Sequence, residues 1–272
     1  MNALRLALDV EALVLPVACL GCGRALAGSS GLCDPCRLSL RPIAPPMCGR
    51  CGQTLDAWEL KADRRSGGQT DRGFSKASGP PVRRSACPPA CGFCRRWPEE
   101  LSWARSATWF DDGAGRELVH ALKYGGWRVA SGPMATVIAR TLAARLREVD
   151  LLVPVPLAPL RQRERGYNQA QVLAESLAVL TKVSCEPQAL ARVRETKTQT
   201  ALDPRARMSN VAGAFSVRGA PYAVRGKRVA LVDDVLTTGA TLAAAAQALA
   251  AAGAALVGAI TFARAAKPGL DS

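Results

Sequence analysis

Four CxxC units fall within the first 94 residues, and they constrain the fold more than any other feature of the sequence. Cys19/Cys22 stand in "CLGC", Cys33/Cys36 in "CDPC", Cys48/Cys51 in "CGRC" and Cys91/Cys94 in "CGFC". Such a turn aims two thiolates at one point, and its small residues let backbone N–H groups face the sulfurs. A tetrahedral Zn2+ takes two units, so four units predict a structural zinc module. Its metal ligands are Cys19, Cys22, Cys33, Cys36, Cys48, Cys51, Cys91 and Cys94. Sequential and interleaved pairings both satisfy this order. Loop-closure entropy grows only logarithmically, so the long interval between Cys51 and Cys91 does not forbid a site. Cys87 is a spare close to the last unit, and the isolated Cys185 reads as an ordinary buried thiol.

A disulfide framework would suit a small exported chain. Asp9, Glu11 and Pro16 interrupt the early apolar stretch, which therefore reads as no export signal and leaves a short amphipathic helix over 4–15. No run of about 18 apolar residues predicts a transmembrane helix. The expected location is cytoplasmic.

The 272 residues suffice for two domains, and a formal charge of +14 survives as about +10 if eight thiolates bind two Zn2+. A basic surface favours phosphorylated or nucleic-acid partners. Residues 1–100 are expected to form the zinc-binding cysteine-rich module, with a flexible Gly/Ser/Pro/Arg-rich insertion near 53–90. Residues 101–272 form the larger domain.

In that domain the pattern predicts strands over 101–110, 150–156, 228–232 and 255–262. Helices are predicted at 115–124, 134–147, 169–180 and 240–252, with a turn containing "LRQRERGYNQA" after the second strand and a polar loop or lid over 192–210. Strands alternating with covering helices give an α/β fold with a parallel sheet. Ligands in such folds collect beyond the carboxyl ends of the strands, where "VALVDDVLTTGATL" places Asp233 and Asp234. Thr237, Thr238, Gly239 and Thr241 then form a phosphate cradle at a helix N-terminus. Carboxylates repel phosphate, so their natural work is on sugar hydroxyls. The segment asks for a phosphorylated sugar.

This segment resembles the phosphoribosyl-diphosphate (PRPP) signature of type I phosphoribosyltransferases. With the CxxC units, "ALKYGG", "PVPLAPLRQRERGYNQA" and "RETKTQTALDPRARMSN", the chain resembles the competence protein F (ComF/GntX-like) family. The resemblance implies a type I phosphoribosyltransferase-like sheet carrying the zinc module, and a PRPP-binding protein involved in DNA uptake for natural transformation. Asp233 and Asp234 would be the catalytic, ribose-binding pair. Leu236, Thr237, Thr238, Gly239, Ala240 and Thr241 would grip the 5-phosphate, with Lys123, Arg161, Arg163 and Arg165 facing pyrophosphate. Zn2+ and Mg2+ are the implied cofactors, and residues 196–209 would close over the ligand. PRPP, single-stranded DNA and DNA-uptake proteins are the implied partners.

No base-specific hood is recognisable, so the acceptor is unassigned. A non-catalytic single-stranded DNA-binding competence factor and a purine or pyrimidine salvage enzyme are the alternatives. Candidate DNA contacts are Arg24, Arg37, Arg50, Arg95 and Arg96, with Trp97 as a stacking surface. His120, the sole histidine, is expected to pack half-buried on its helix.

Overall fold

The structure, a computed structural model, describes residues 18–26, 31–55, 91–194, 213–218 and 223–265. Residues 4–15, Cys87, most of the 53–90 insertion and the 196–209 segment lie outside these.

The larger domain is built on five parallel strands in the order β1-β7-β6-β2-β3. These are β1 (Leu101–Phe110), β2 (Leu151–Pro154), β3 (Ser184–Cys185), β6 (Arg228–Leu236) and β7 (Leu256–Ala265). β4 (Leu190–Arg192) and β5 (Phe215–Val217) form a separate antiparallel ribbon. The helices are α1 (Asp34–Ser39), α2 (Ala114–Lys123), α3 (Ser131–Thr141), α4 (Ala143–Leu146), α5 (Pro159–Arg165), α6 (Gln169–Thr181) and α7 (Ala240–Ala251).

Side chains alternate across the sheet with period two, and two cores result. Leu231, Val229, Val257, Ala259 and Leu101 face α7. Ala230, Val232, Ile260, Phe262 and Trp103 face α2, α3 and α6. The cysteine-rich module straddles the edge strand β1 and contributes to both cores. Cys19 and Leu32 join the α2/α3 side, while Cys48, Cys51, Cys91, Cys94 and Trp97 join the α7 side. Main-chain bonds from Ala104 N to Arg50 O (2.8 Å) and Trp109 N to Arg41 O (3.0 Å) satisfy the β1 edge. An edge so occupied offers no free ladder for pairing with another chain.

Several expectations shift. The helix expected over 134–147 is two helices, because Leu142 leaves helical dihedrals (φ −109°, ψ 20°) between α3 and α4. The turn expected around "LRQRERGYNQA" holds α5, started by Pro159 and stopped by Gly166 in the left-handed region (φ 78°). β6 runs on to Leu236, pairing Asp233 with Thr261 and Leu236 with Arg264, so both aspartates lie within the strand rather than after it. His120 is exposed, its ring tilted by 56° to that of Tyr124 at 5.2 Å, rather than half-buried.

Candidate functional site

A cleft of about 410 Å3 opens at the carboxyl ends of β2 and β6, and Lys123, Arg161, Arg165, Asp233, Asp234, Thr237 and Thr241 all line it. Lys123, the last residue of α2, places its ammonium 2.6 Å from Asp234 Oδ2. Burial alone would lower the Lys123 pKa, but the charge of Asp234 and the hydrogen bond to it outweigh burial and raise it. Asp234 Oδ1 accepts from Val235 N (2.8 Å), and Asp233 Oδ1 accepts from Asp234 N (2.9 Å). Burial, and then the neighbouring Asp234 charge, push the Asp233 carboxyl up to about 8. The cleft therefore resists holding two full negative charges until cations or hydroxyl donors arrive.

After Leu236 the chain turns into α7. Thr238 Oγ1 accepts from Ala240 N at 3.4 Å, and Gly239 caps the helix at φ 80°. Only glycine suits that position on two counts: the left-handed backbone, and a Trp97 ring that a Cβ would meet at 2.5 Å. The Trp97 indole Nε1 donates to Thr238 O at 3.0 Å. Helix starts leave N–H groups without intrahelical acceptors, so the turn presents amides and threonine hydroxyls together.

Arg161 and Arg165 line the cleft; Arg163 lines an adjoining hollow with Gln162, Arg192 and Arg218. The segment "RGYNQA" has roles that its sequence did not disclose. Tyr167 Oη donates to the carbonyl of Leu122, next to Lys123, and Arg165 donates to Gln169 Oε1. Asn168 caps α6 by accepting from Ala170 N (3.1 Å) and donates to Val155 O (3.0 Å). These residues hold the cleft wall to α2 and β2. An asparagine directly before an apolar helix is a readable N-cap signal. The Trp97–Thr238 bond spans 141 residues and has no local signal.

The sulfurs of Cys19, Cys22, Cys33 and Cys36 cluster, as do those of Cys48, Cys51, Cys91 and Cys94. The pairing is sequential. Sulfur separations are 3.7 Å for Cys22–Cys33, 3.8 Å for Cys48–Cys94 and 3.7 Å for Cys51–Cys91. Those distances match the edge, about 3.8 Å, of a tetrahedron with metal–sulfur arms of about 2.3 Å. Cys33 N and Gly21 N donate to Cys19 Sγ (3.2 and 3.4 Å), as thiolate ligands require. Guanidiniums surround the second cluster. Arg264, fully buried on β7, donates to Cys51 O (2.6 Å) and Gln53 Oε1 (3.1 Å) and lies 4.3 Å from the Phe93 ring. Arg105 donates to Gly49 O (2.6 Å) and Arg50 O (3.1 Å). Four thiolates around one Zn2+ carry a net charge of −2, which these cations balance. The residues fit the ion.

The proposed DNA face is altered. Trp97 is 5% exposed and offers no stacking surface. Arg50 is committed to the carbonyls of Cys94, Trp97, Pro98 and Leu101. Arg37 pairs with Asp34, while Arg24, Arg95 and Arg96 are exposed.

Comparison with known proteins agrees with both halves. The family described as "Double zinc ribbon domain" matches residues 10–65, and "Phosphoribosyl transferase domain" matches residues 133–272. The DNA utilization protein YhgH of Escherichia coli (strain K12) is 32% identical over 233 residues, 84% of this chain and 94% of that protein. The chain belongs to the ComF/YhgH family. Competence protein F of Haemophilus influenzae is 28% identical over 82% of this chain and 86% of its own length. Competence protein ComFC of Bacillus subtilis (strain 168) is 36% identical over 36% of this chain and 38% of its own. In this ComF/YhgH chain, the zinc ribbon match takes in Cys48 and Cys51, whereas their structural partners Cys91 and Cys94 lie beyond it. No helix among the described residues is long and apolar enough to cross a membrane.

Proposed function

We propose that the cleft binds PRPP and that the protein acts in DNA uptake for natural transformation as a phosphoribosyltransferase-like member of its family. One observation carries this reading: a single cleft combines an aspartate pair, a threonine-lined helix start and four cations, Lys123, Arg161, Arg165 and Arg192. The Thr237–Thr241 turn binds the 5-phosphate through amides and hydroxyls. Asp233 and Asp234 accept hydrogen bonds from the ribose hydroxyls. Lys123, Arg161 and Arg165 offset the charge of the diphosphate as it departs. A nitrogen nucleophile would form its bond to C1 as the bond to the diphosphate oxygen breaks, the electron pair leaving with diphosphate. Mg2+ prefers oxygen ligands, and the donor set here is carboxylates and hydroxyls, so the residues fit it. Asp233 would hold the ion, and the ion would supply neutralisation of diphosphate charge.

The names of the relatives, a DNA utilization protein and competence proteins, support the cellular role. PRPP with Mg2+ should raise the melting temperature through mass action, and Asp233→Asn/Asp234→Asn should abolish the rise. Equal responses of wild type and double variant would sink the ribose site. Acceptor-dependent pyrophosphate release would establish an enzyme; binding without it would establish a non-catalytic ligand protein. The second reading, direct binding of single-stranded DNA, is favoured by the +14 charge and the exposed Arg24, Arg95 and Arg96. It predicts salt-sensitive affinity that survives the aspartate replacements.

A further inference from the structure

We infer that the second four-cysteine centre braces the sugar-phosphate turn, with Trp97 as the positioning residue that carries the connection. The inference deepens the reading above, because this turn is the element assigned there to the 5-phosphate.

The connection is continuous. Trp97 N donates to Cys94 O at 3.0 Å, so the indole is placed three residues after a sulfur ligand. Arg50, between Cys48 and Cys51, donates to Cys94 O (3.3 Å), Trp97 O (3.3 Å), Pro98 O (2.6 Å) and Leu101 O (3.0 Å). Both halves of the centre therefore fix the backbone that carries Trp97. Phe93 meets the Trp97 ring edge-on at 5.5 Å. From that position the indole N–H reaches Thr238 O, and the ring lies directly under Gly239. A second strut runs in parallel. Arg264 grips Cys51 O by its guanidinium while its backbone pairs with Leu236, the residue that opens the turn.

The turn needs such support. Thr237 is exposed, and Gly239 holds the left-handed backbone with no side chain of its own to pack. A turn that had to be ordered on ligand arrival would charge that entropy against affinity. The first centre stands elsewhere: its Cys19 packs with α2 and α3 on the other face of the sheet. The second centre reaches the phosphate turn through Trp97, which is bonded to Cys94 O on one side and Thr238 O on the other.

The test compares zinc-loaded full-length wild type with Trp97→Phe, Cys48→Ser and Cys22→Ser, measuring amide hydrogen exchange at residues 237–240 and zinc content. Trp97→Phe keeps an aromatic ring but removes the indole N–H together with the ring edge that lies under Gly239. It should retain both ions yet speed exchange at the turn about tenfold. Cys48→Ser, lacking a second-centre ligand, should speed it at least as much, and Cys22→Ser should leave it within about twofold of wild type. PRPP with Mg2+ should bind Trp97→Phe about fivefold more weakly, the scale of one neutral hydrogen bond. Unchanged exchange in both Trp97→Phe and Cys48→Ser, or an equal rise in Cys22→Ser, overturns the brace. Wild type that fails to bind PRPP overturns the proposed ligand instead, and the exchange pattern still decides the brace.

Discussion

The Lys123 ammonium lies 2.6 Å from Asp234 Oδ2, joining the end of α2 to β6 across the floor of the cleft. The Asp234 side chain is 4% exposed and that of Lys123 is 23%. Removing the cation strands a buried carboxylate, which in fully dry sites costs about 3–5 kcal/mol. Water access at Lys123 reduces this, and Lys123→Met should cost about 2 kcal/mol. Adding Asp234→Asn removes the stranded charge and should restore more than half of the loss. Denaturant titration of the four proteins measures the coupling; additive effects would mean that the pair is not an energetic unit.

The two metal centres should differ in release. All four sulfur ligands of the second centre are buried, whereas Cys22 of the first is exposed. Purified protein should contain two zinc ions per chain, and a chelator should extract them in two phases, the first centre leaving faster. Cys22→Ser should lose the fast phase and Cys48→Ser the slow one. Fewer than one zinc per chain would refute the metal assignment.

The elements that the sequence disclosed are those governed by local chemistry. The segment "LSWARSATWF" marked β1 to the residue, and the apolar face of Leu118 and Leu122 marked α2. The cysteine spacing disclosed all eight sulfur ligands, because a CxxC turn is a local device. Their pairing was open until tertiary structure brought Cys91 and Cys94 to Cys48 and Cys51. β3, β4 and β5 have two or three residues each, too few for periodicity to register. Trp97 read as a surface aromatic because its acceptor, Thr238 O, lies on an element 141 residues away. Asp233 and Asp234 were legible as a pair, but their place inside β6 rests on pairing with β7, which no local pattern encodes.

Arg264 should be the most sensitive single position where the cysteine-rich module meets the sheet. Burial pulls its pKa below the ordinary guanidinium value, and the nearby thiolates of Cys51, Cys91 and Cys94 oppose that shift. Arg264→Met keeps the volume but leaves Cys51 O and Gln53 Oε1 without this donor. The expected loss is about 2 kcal/mol, or about 4–8 °C in melting temperature, with faster zinc release from the second centre. Arg264→Lys keeps the charge without the planar fork and should fall between. A wild-type release rate in Arg264→Met would show that the contact serves packing alone.

At the opposite ends of β2 and β6, Asp150 and Arg228 give a pH test remote from the cleft. Asp150 Oδ2 accepts from Arg228 N (2.9 Å) and Nε (3.0 Å), and Oδ1 accepts from Nη2 (2.6 Å). The Arg228 hydrogen bonds hold the Asp150 pKa below the usual carboxylate range. In the unfolded chain this carboxyl titrates near its ordinary value, about 3.9. The unfolded state therefore binds more protons once the pH drops into that region, and the stabilisation is lost as pH falls through the folded-state pKa. Asp150→Asn should show a melting-temperature deficit that is constant from about pH 8 to about pH 5 and closes below about pH 4. Both residues are partly exposed, at 39% and 41%, so added salt should shrink the deficit as well. A deficit that persists undiminished at the acid end would assign the effect to the geometry of the Asp150 hydrogen bonds and not to its charge.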